Sequence, residues 1–98
     1  MYKTIILPLA KQDIKKAAQW YEHKQNGLGK RFVKEVRNKV DYIKRKPKTS
    51  AIRYQDTRCV VLDIFPFMIH FNVDEAKKLV TISAVFHTAL DTEKWTKR

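Results

Sequence analysis

Two side chains in the C-terminal half of this chain have the chemistry to act on a phosphodiester, His87 and Arg58. A histidine titrates at about pH 6.5 and can take or give a proton. An arginine presents a planar fork of donors that matches phosphate. Cleaving RNA through its own 2′-hydroxyl needs a base for the 2′ proton, a cation for the phosphorane and an acid for the leaving 5′ oxygen. His87 and Arg58 are the candidates for those roles; Lys48 and Arg53 add candidate phosphate contacts, and Trp95 in the tail can stack on a base. The tail has no tyrosine to serve as an extra acid–base group. Each candidate also has a plain structural role. A histidine ending a strand is commonly a hydrogen-bonder, Arg58 can hold a partner carboxylate or cap a strand, and Trp95 can simply pack. His70, on an inner strand, reads as structural, and His23 suits the dipole at a helix C-terminus. Trp20, Tyr21, Phe32, Phe65 and Phe67 read most simply as core.

Other chemistries find no support. The three histidines and the single cysteine have no metal-ligand spacing, and no cofactor is implied. Gly27-x-Gly29 is too short for a phosphate loop and follows a helix. Cys59, being alone, can form no intrachain disulfide, reads as a small strand residue and fits a reducing cytoplasm.

Length and charge narrow the class. Ninety-eight residues make one domain, spanning 1–98, that buries roughly 60–65% of its unfolded surface. No signal peptide is visible, and no apolar run approaches the ~20 residues of a membrane span. Lys and Arg number 21 against 10 Asp and Glu, a net charge of +11. Residues 28–58 hold eleven basic and three acidic groups, so +8 lies there and +3 elsewhere. Such a local excess points to a polyanion or an acidic protein as partner.

The elements that must position these residues follow from periodicity. Residues 2–7 read as a strand stopped by Pro8. Ala10, Ile14, Ala17, Ala18 and Tyr21 form one helical stripe over residues 10–24, with Asp13 near the start, where its charge suits the dipole. Asn26-Gly27 breaks the helix. A second helix over Leu28–Arg45 has the seam Leu28, Phe32, Val36, Val40 and Ile43 and a basic back. The short break makes the two an antiparallel hairpin. Strands are predicted over residues 52–56, 58–65, 67–73 and 79–86, the second of them central because Val60-Val61-Leu62 is apolar on both faces. Phe67, Ile69, Phe71 and Val73 face one way, and Met68, His70 and Asn72 the other. Val80, Ile82, Ala84 and Phe86 take the core face of the last strand; Thr81, Ser83 and His87 lie opposite. The order β-α-α-β-β-β-β makes an α+β fold, a helical hairpin packed on one face of a mostly antiparallel sheet whose other face is more open. Residues 88–98 are a polar tail.

The order and spacing of these features resemble the RelE/ParE family of bacterial toxins, on its ParE-like or plasmid-stabilisation branch. The matching residues are Ala10-x-x-Asp13-Ile14, Trp20-Tyr21-Glu22, Gly27-Leu28-Gly29-x-x-Phe32-x-x-Glu35-Val36 and Pro47, then Tyr54-x-x-x-Arg58, Phe65-Pro66-Phe67-x-Ile69, Ala84-Val85-x-His87 and Trp95. The resemblance implies the toxin of a type II toxin–antitoxin pair, arresting growth and neutralised by a cognate antitoxin. ParE-like members are thought to poison DNA gyrase; RelE-like members cleave messenger RNA in the ribosomal A site, which would make Arg58 and His87 catalytic. Neither activity involves a membrane or a small-molecule cofactor. The chain departs from the family pattern at Leu90, where Arg is usual, and at Thr92, where Pro is usual. That departure keeps open an attenuated module that binds antitoxin or nucleic acid without toxicity.

Overall fold

Pro8 both ends the first strand and begins the first helix, because its fixed φ suits the N1 position and its missing N–H costs nothing there. In the computed structural model, which describes residues 2–97, β1 (Lys3–Ile6) runs through an extended Leu7 into α1 (Pro8–Lys24), two residues earlier than periodicity suggests. Asp13 therefore lies beyond the first turn and does not serve the dipole. Its carboxylate instead accepts a hydrogen bond from the Val85 N–H at 3.0 Å.

Gly27, with φ 87°, turns the chain into α2 (Leu28–Arg45). The Glu22 carboxylate accepts from the Gly27 N–H at 3.0 and 3.1 Å and from the Gly29 N–H at 3.1 Å, filling amides that the helix leaves without internal partners. Those bonds hold its carboxyl below the usual carboxylate range. Gly29 lets the helices close: a Cβ there would lie 2.6 Å from the Ala18 carbonyl oxygen, which is backbone and cannot yield cheaply. Gly29→Ala is expected to cost about 1–3 kcal/mol, the usual range for overpacking. It should appear as a lower urea midpoint at unchanged slope.

A single turn of 3-10 helix (Pro47–Thr49) leads to β2 (Ile52–Tyr54), β3 (Thr57–Val61), β4 (Phe67–Asp74) and β5 (Leu79–His87). The sheet order is β1-β5-β4-β3-β2; β1 runs parallel to β5 and the other pairs are antiparallel. The helical hairpin packs on one face, as the pattern predicts, around Phe32, Val36, Ile43, Ile69, Phe71 and Ile82.

Three expectations change. β3 stops at Val61 instead of running to residue 65, although it does lie inside the sheet, between β4 and β2. The chain leaves the sheet there because α2 holds it, with Glu35 accepting from the Ile64 N–H at 2.7 Å and Lys39 paired with Asp63 at 3.2 Å. The last strand also changes phase. Ile82 pairs with Phe71 and Ala84 with His70, so Ser83 is an extra residue, a bulge. A one-residue slip reverses every later side chain. Val85 therefore joins the core and His87 pairs with Phe67 on the helix side, whereas Ala84 and Phe86 turn to the other face. Finally, Trp20 is not core: it is 57% exposed, with the Lys24 ammonium 4.8 Å from its ring centre.

Glu75, in the turn between β4 and β5, ties three segments together. Tyr2 donates to its carboxylate at 2.7 and 3.0 Å, Lys48 pairs with it at 2.9 Å, and Lys78 pairs with it from the same turn. Lys78 above all, then Lys48 and Tyr2, lower its pKa from 4.5 to about 2. A carboxyl depressed by folding stabilises the native state above its unfolded value. That contribution is present above pH 4.5 and is lost as pH falls toward about 2. Glu75→Gln is expected to flatten the pH dependence of the urea midpoint across this window.

Candidate functional site

The sheet face away from the helices gathers the residues best suited to recognise a ligand. β2 brings Tyr54, β3 Cys59, β4 His70 and β5 Phe86. The Tyr54 hydroxyl lies 2.9 Å from His70 Nδ1, and Cys59 Sγ lies 3.4 Å from the same nitrogen. Burial pushes the Cys59 thiol up despite the Arg53 charge, so it is not a reactive thiolate.

This face is covered instead of open. After β5 the chain reverses, with the Thr88 N–H donating to the Pro66 carbonyl at 2.9 Å and the Leu90 N–H to the His87 carbonyl at 3.0 Å. Asp91 accepts from the Glu93 N–H at 3.0 Å and starts a short turn (Thr92–Lys94) that delivers Trp95 onto the sheet. Trp95 is 8% exposed, edge-on to His70 at 4.8 Å and 5.5 Å from the Tyr54 ring. The Arg53 guanidinium lies 5.7 Å from its centre. His70 is fully buried beneath, as its inner-strand position suggests.

The candidate residues thus fall into three places. Arg53 and Trp95 meet on the tail-covered face. Arg58 pairs with Phe71, on the helix side, and donates from Nη1 to the Ser50 carbonyl at 2.6 Å and the Lys48 carbonyl at 3.3 Å. Lys48, beside it, is held by Glu75. His87 lies at the far end of the sheet, edge-on to Phe67 at 5.1 Å. Its Nδ1 accepts from the Ala89 N–H at 2.9 Å. A backbone N–H can only donate, so Nδ1 holds a lone pair and the ring proton of the neutral form sits on Nε2.

Register gives the separation of Arg58 and His87. Their partners on β4, Phe71 and Phe67, are four residues apart, and two inter-strand spacings intervene. That amounts to roughly 13 Å along the strands and about 10 Å across them. A base and a phosphate-holding cation must both reach one phosphodiester, within hydrogen-bond distance of the atoms they serve. These two do not meet in this arrangement. Among the described residues, no three His, Cys, Asp or Glu side chains cluster as a metal site would need, and no helix is long and apolar enough to cross a membrane.

Sequence reasoning did not identify Tyr54 and His70 as the bed for Trp95. The available signal was the alternation of Met68, His70 and Asn72, which puts two large side chains and an amide on a face with no second layer except the tail.

No curated protein matches the chain. Among solved structures, it is similar to the chromosomal ParDE TA system from P. aeruginosa, with TM-score 0.77 and 18% identity, covering 89% of this chain and 96% of that one. The intact E. coli RelBE toxin–antitoxin complex gives TM-score 0.68 at 14% identity, covering 89% of this chain and 96% of that one. The isolated E. coli RelE toxin gives 0.68 at 13%, covering 99% and 95%. At such identities the likeness establishes the shared fold. The sequence itself matches the family of the ParE toxin of the type II toxin–antitoxin system, parDE, over residues 4–91. The chain therefore belongs to the ParE toxin family of type II toxin–antitoxin systems.

Proposed function

We propose that this protein arrests bacterial growth in the cytoplasm by binding DNA gyrase, and that a cognate antitoxin protein neutralises it. The observation that carries this reading is the separation of Arg58 from His87, with Arg58 Nη1 and His87 Nδ1 both engaged by backbone groups. A poison that acts by binding needs a surface and no general acid–base pair. The basic back of α2 is such a surface: Arg31, Lys34 and Arg37 make no salt bridge among the described residues. The antitoxin partner is supported by the ParDE and RelBE systems to which the fold is similar.

Inducing the protein without antitoxin, and following thymidine and amino-acid incorporation through the first minutes, tests the reading. Thymidine incorporation is expected to fall first. An earlier fall in amino-acid incorporation, with ribosome-dependent messenger-RNA cuts, would replace gyrase by RNA cleavage. No fall in either would make the chain a binding module without toxicity.

A further inference from the structure

The solvent side of the helical hairpin carries exposed cations on both helices. Lys30, Lys34 and Arg37 step by four and three along α2, so one ridge presents them over about 10 Å. Lys11 and Lys15 are four apart on α1, and Ala18 continues their row. The two rows face a common furrow. Lys30, Lys34 and Arg37 edge a groove of about 790 Å³ whose floor is Ala18, Gly29 and Val33. Val33 and Arg37 also line a smaller hollow of about 280 Å³, with Lys11 from the other helix.

These charges are available. Among the described residues, none of the five makes a salt bridge. The carboxylates beside them are engaged: Glu22 accepts from the Gly27 and Gly29 amides, and Asp41 pairs with Arg45 at 3.4 Å. The exposed rings, Trp20 and Tyr42, line other grooves. Single strands are held by stacking their bases on aromatic side chains. A furrow that offers cations without rings suits a duplex, whose bases already stack on one another and whose phosphates face outward. Gly29, against the Ala18 carbonyl, lets the helices close, and packed helix axes lie about 8–10 Å apart. That falls between the ~6 and ~12 Å widths of the B-DNA grooves, so each cation row can follow the phosphates on one side of a groove. Duplex RNA, with its deep, narrow major groove and wide minor groove, spaces its phosphate rows differently.

We propose that this two-helix furrow binds the sugar–phosphate backbone of duplex DNA without reading its sequence. Contacts of charge on phosphate position a protein on a duplex and carry no sequence information. The proposal is compatible with a target that works on DNA, but it does not rest on the gyrase reading. Its test contains no gyrase, so either reading can fail alone.

Fluorescence anisotropy of a fluorescein-labelled, mixed-sequence DNA duplex, titrated with the full chain between about 50 and 200 mM salt, tests it. Each phosphate contact adds about −0.9 to the slope of log affinity against log salt, so five contacts give roughly −4.5. Lys30→Gln, Lys34→Gln and Arg37→Gln together should bring the slope to about −2, and Lys11→Gln with Lys15→Gln to about −3. Lys3→Gln, Lys77→Gln and Lys94→Gln together remove as much charge from exposed positions elsewhere and should leave the slope nearly unchanged. Thermal melting shows that each variant is folded, and the α1 pair decides the matter should the α2 triple fail to fold. A slope that survives the substitutions on α1 and α2 would overturn the proposal. So would an equal loss from the Lys3, Lys77 and Lys94 set, which marks the diffuse field of a +11 chain. Tighter binding of the single strand, or of an RNA duplex of the same sequence, would overturn it as well. A polyglutamate peptide of matched charge that displaces the duplex at equal concentration would make the furrow a site for acidic protein and not for DNA.

Discussion

Phe32→Ala is expected to lower stability by about 3–5 kcal/mol, the range for removing a large aromatic side chain from a core. Phe32 is fully buried and joins three parts of the fold. Its ring centre lies 5.4 Å from that of Tyr21 on α1, 5.2 Å from Phe65 in the loop after β3, and 5.1 Å from Phe67 on β4. Truncation loses both the transfer free energy of the ring and the edge-to-face contacts it makes. The space cannot close easily, because Glu35 pins the loop through the Ile64 N–H and Gly29 already holds the helices at their nearest approach. Against a typical total of roughly 5–15 kcal/mol, the loss should be plain in urea unfolding. A loss below about 2 kcal/mol would show that the 62–66 loop moves inward to fill the space.

The same packing explains which parts of the fold are legible in the sequence. The helical hairpin is legible because its signals agree: the stripe through Ala10, Ala17 and Tyr21, the seam through Phe32, Val36 and Ile43, and Gly27 with Gly29 between them. Its boundary at Pro8 is ambiguous, since proline suits a strand's end and a helix's first turn equally. The four C-terminal strands are legible from alternation and turn residues. The faces of the last one are not. Ala84, Val85 and Phe86 are all apolar, so hydrophobicity carries no mark of the bulge at Ser83, and only the pairing with β4 reveals that His87 has changed sides.

The candidate site was legible as residue types and not as geometry. Arg58 and His87 have the chemistry for phosphate, but chemistry carries no information about a bulge or about carbonyls that engage one guanidinium nitrogen. Trp20 reads as core because it is large and adjoins the stripe. The stripe's own members Ala17 and Tyr21 fill the interior, however, and leave Trp20 outside the core cluster. Trp95 reads as part of a polar tail. Its burial depends on Tyr54 and His70, which come from two strands, with Phe86 of a third against His70.

Combining Arg58→Lys with His87→Asn is expected to leave growth arrest within about ten-fold of wild type, measured as the inducer dose that halves growth. The substitutions separate structure from chemistry. Lysine keeps the charge and one donor for the Ser50 carbonyl, which now receives the guanidinium at 2.6 Å, but has no fork for phosphate. Asparagine places an acceptor close to where Nδ1 receives the Ala89 N–H, but cannot transfer a proton near neutral pH. A protein that poisons by binding tolerates both. An enzyme that used the pair would lose the general acid–base contribution alone, about 10²–10⁴-fold, and the phosphate-holding cation in addition. Melting temperatures of the single and double variants separate lost fold from lost activity. A hundred-fold or greater loss of growth arrest at unchanged melting temperature would mean that the two residues come together on the target after all. The gyrase reading would then give way to ribosome-dependent RNA cleavage.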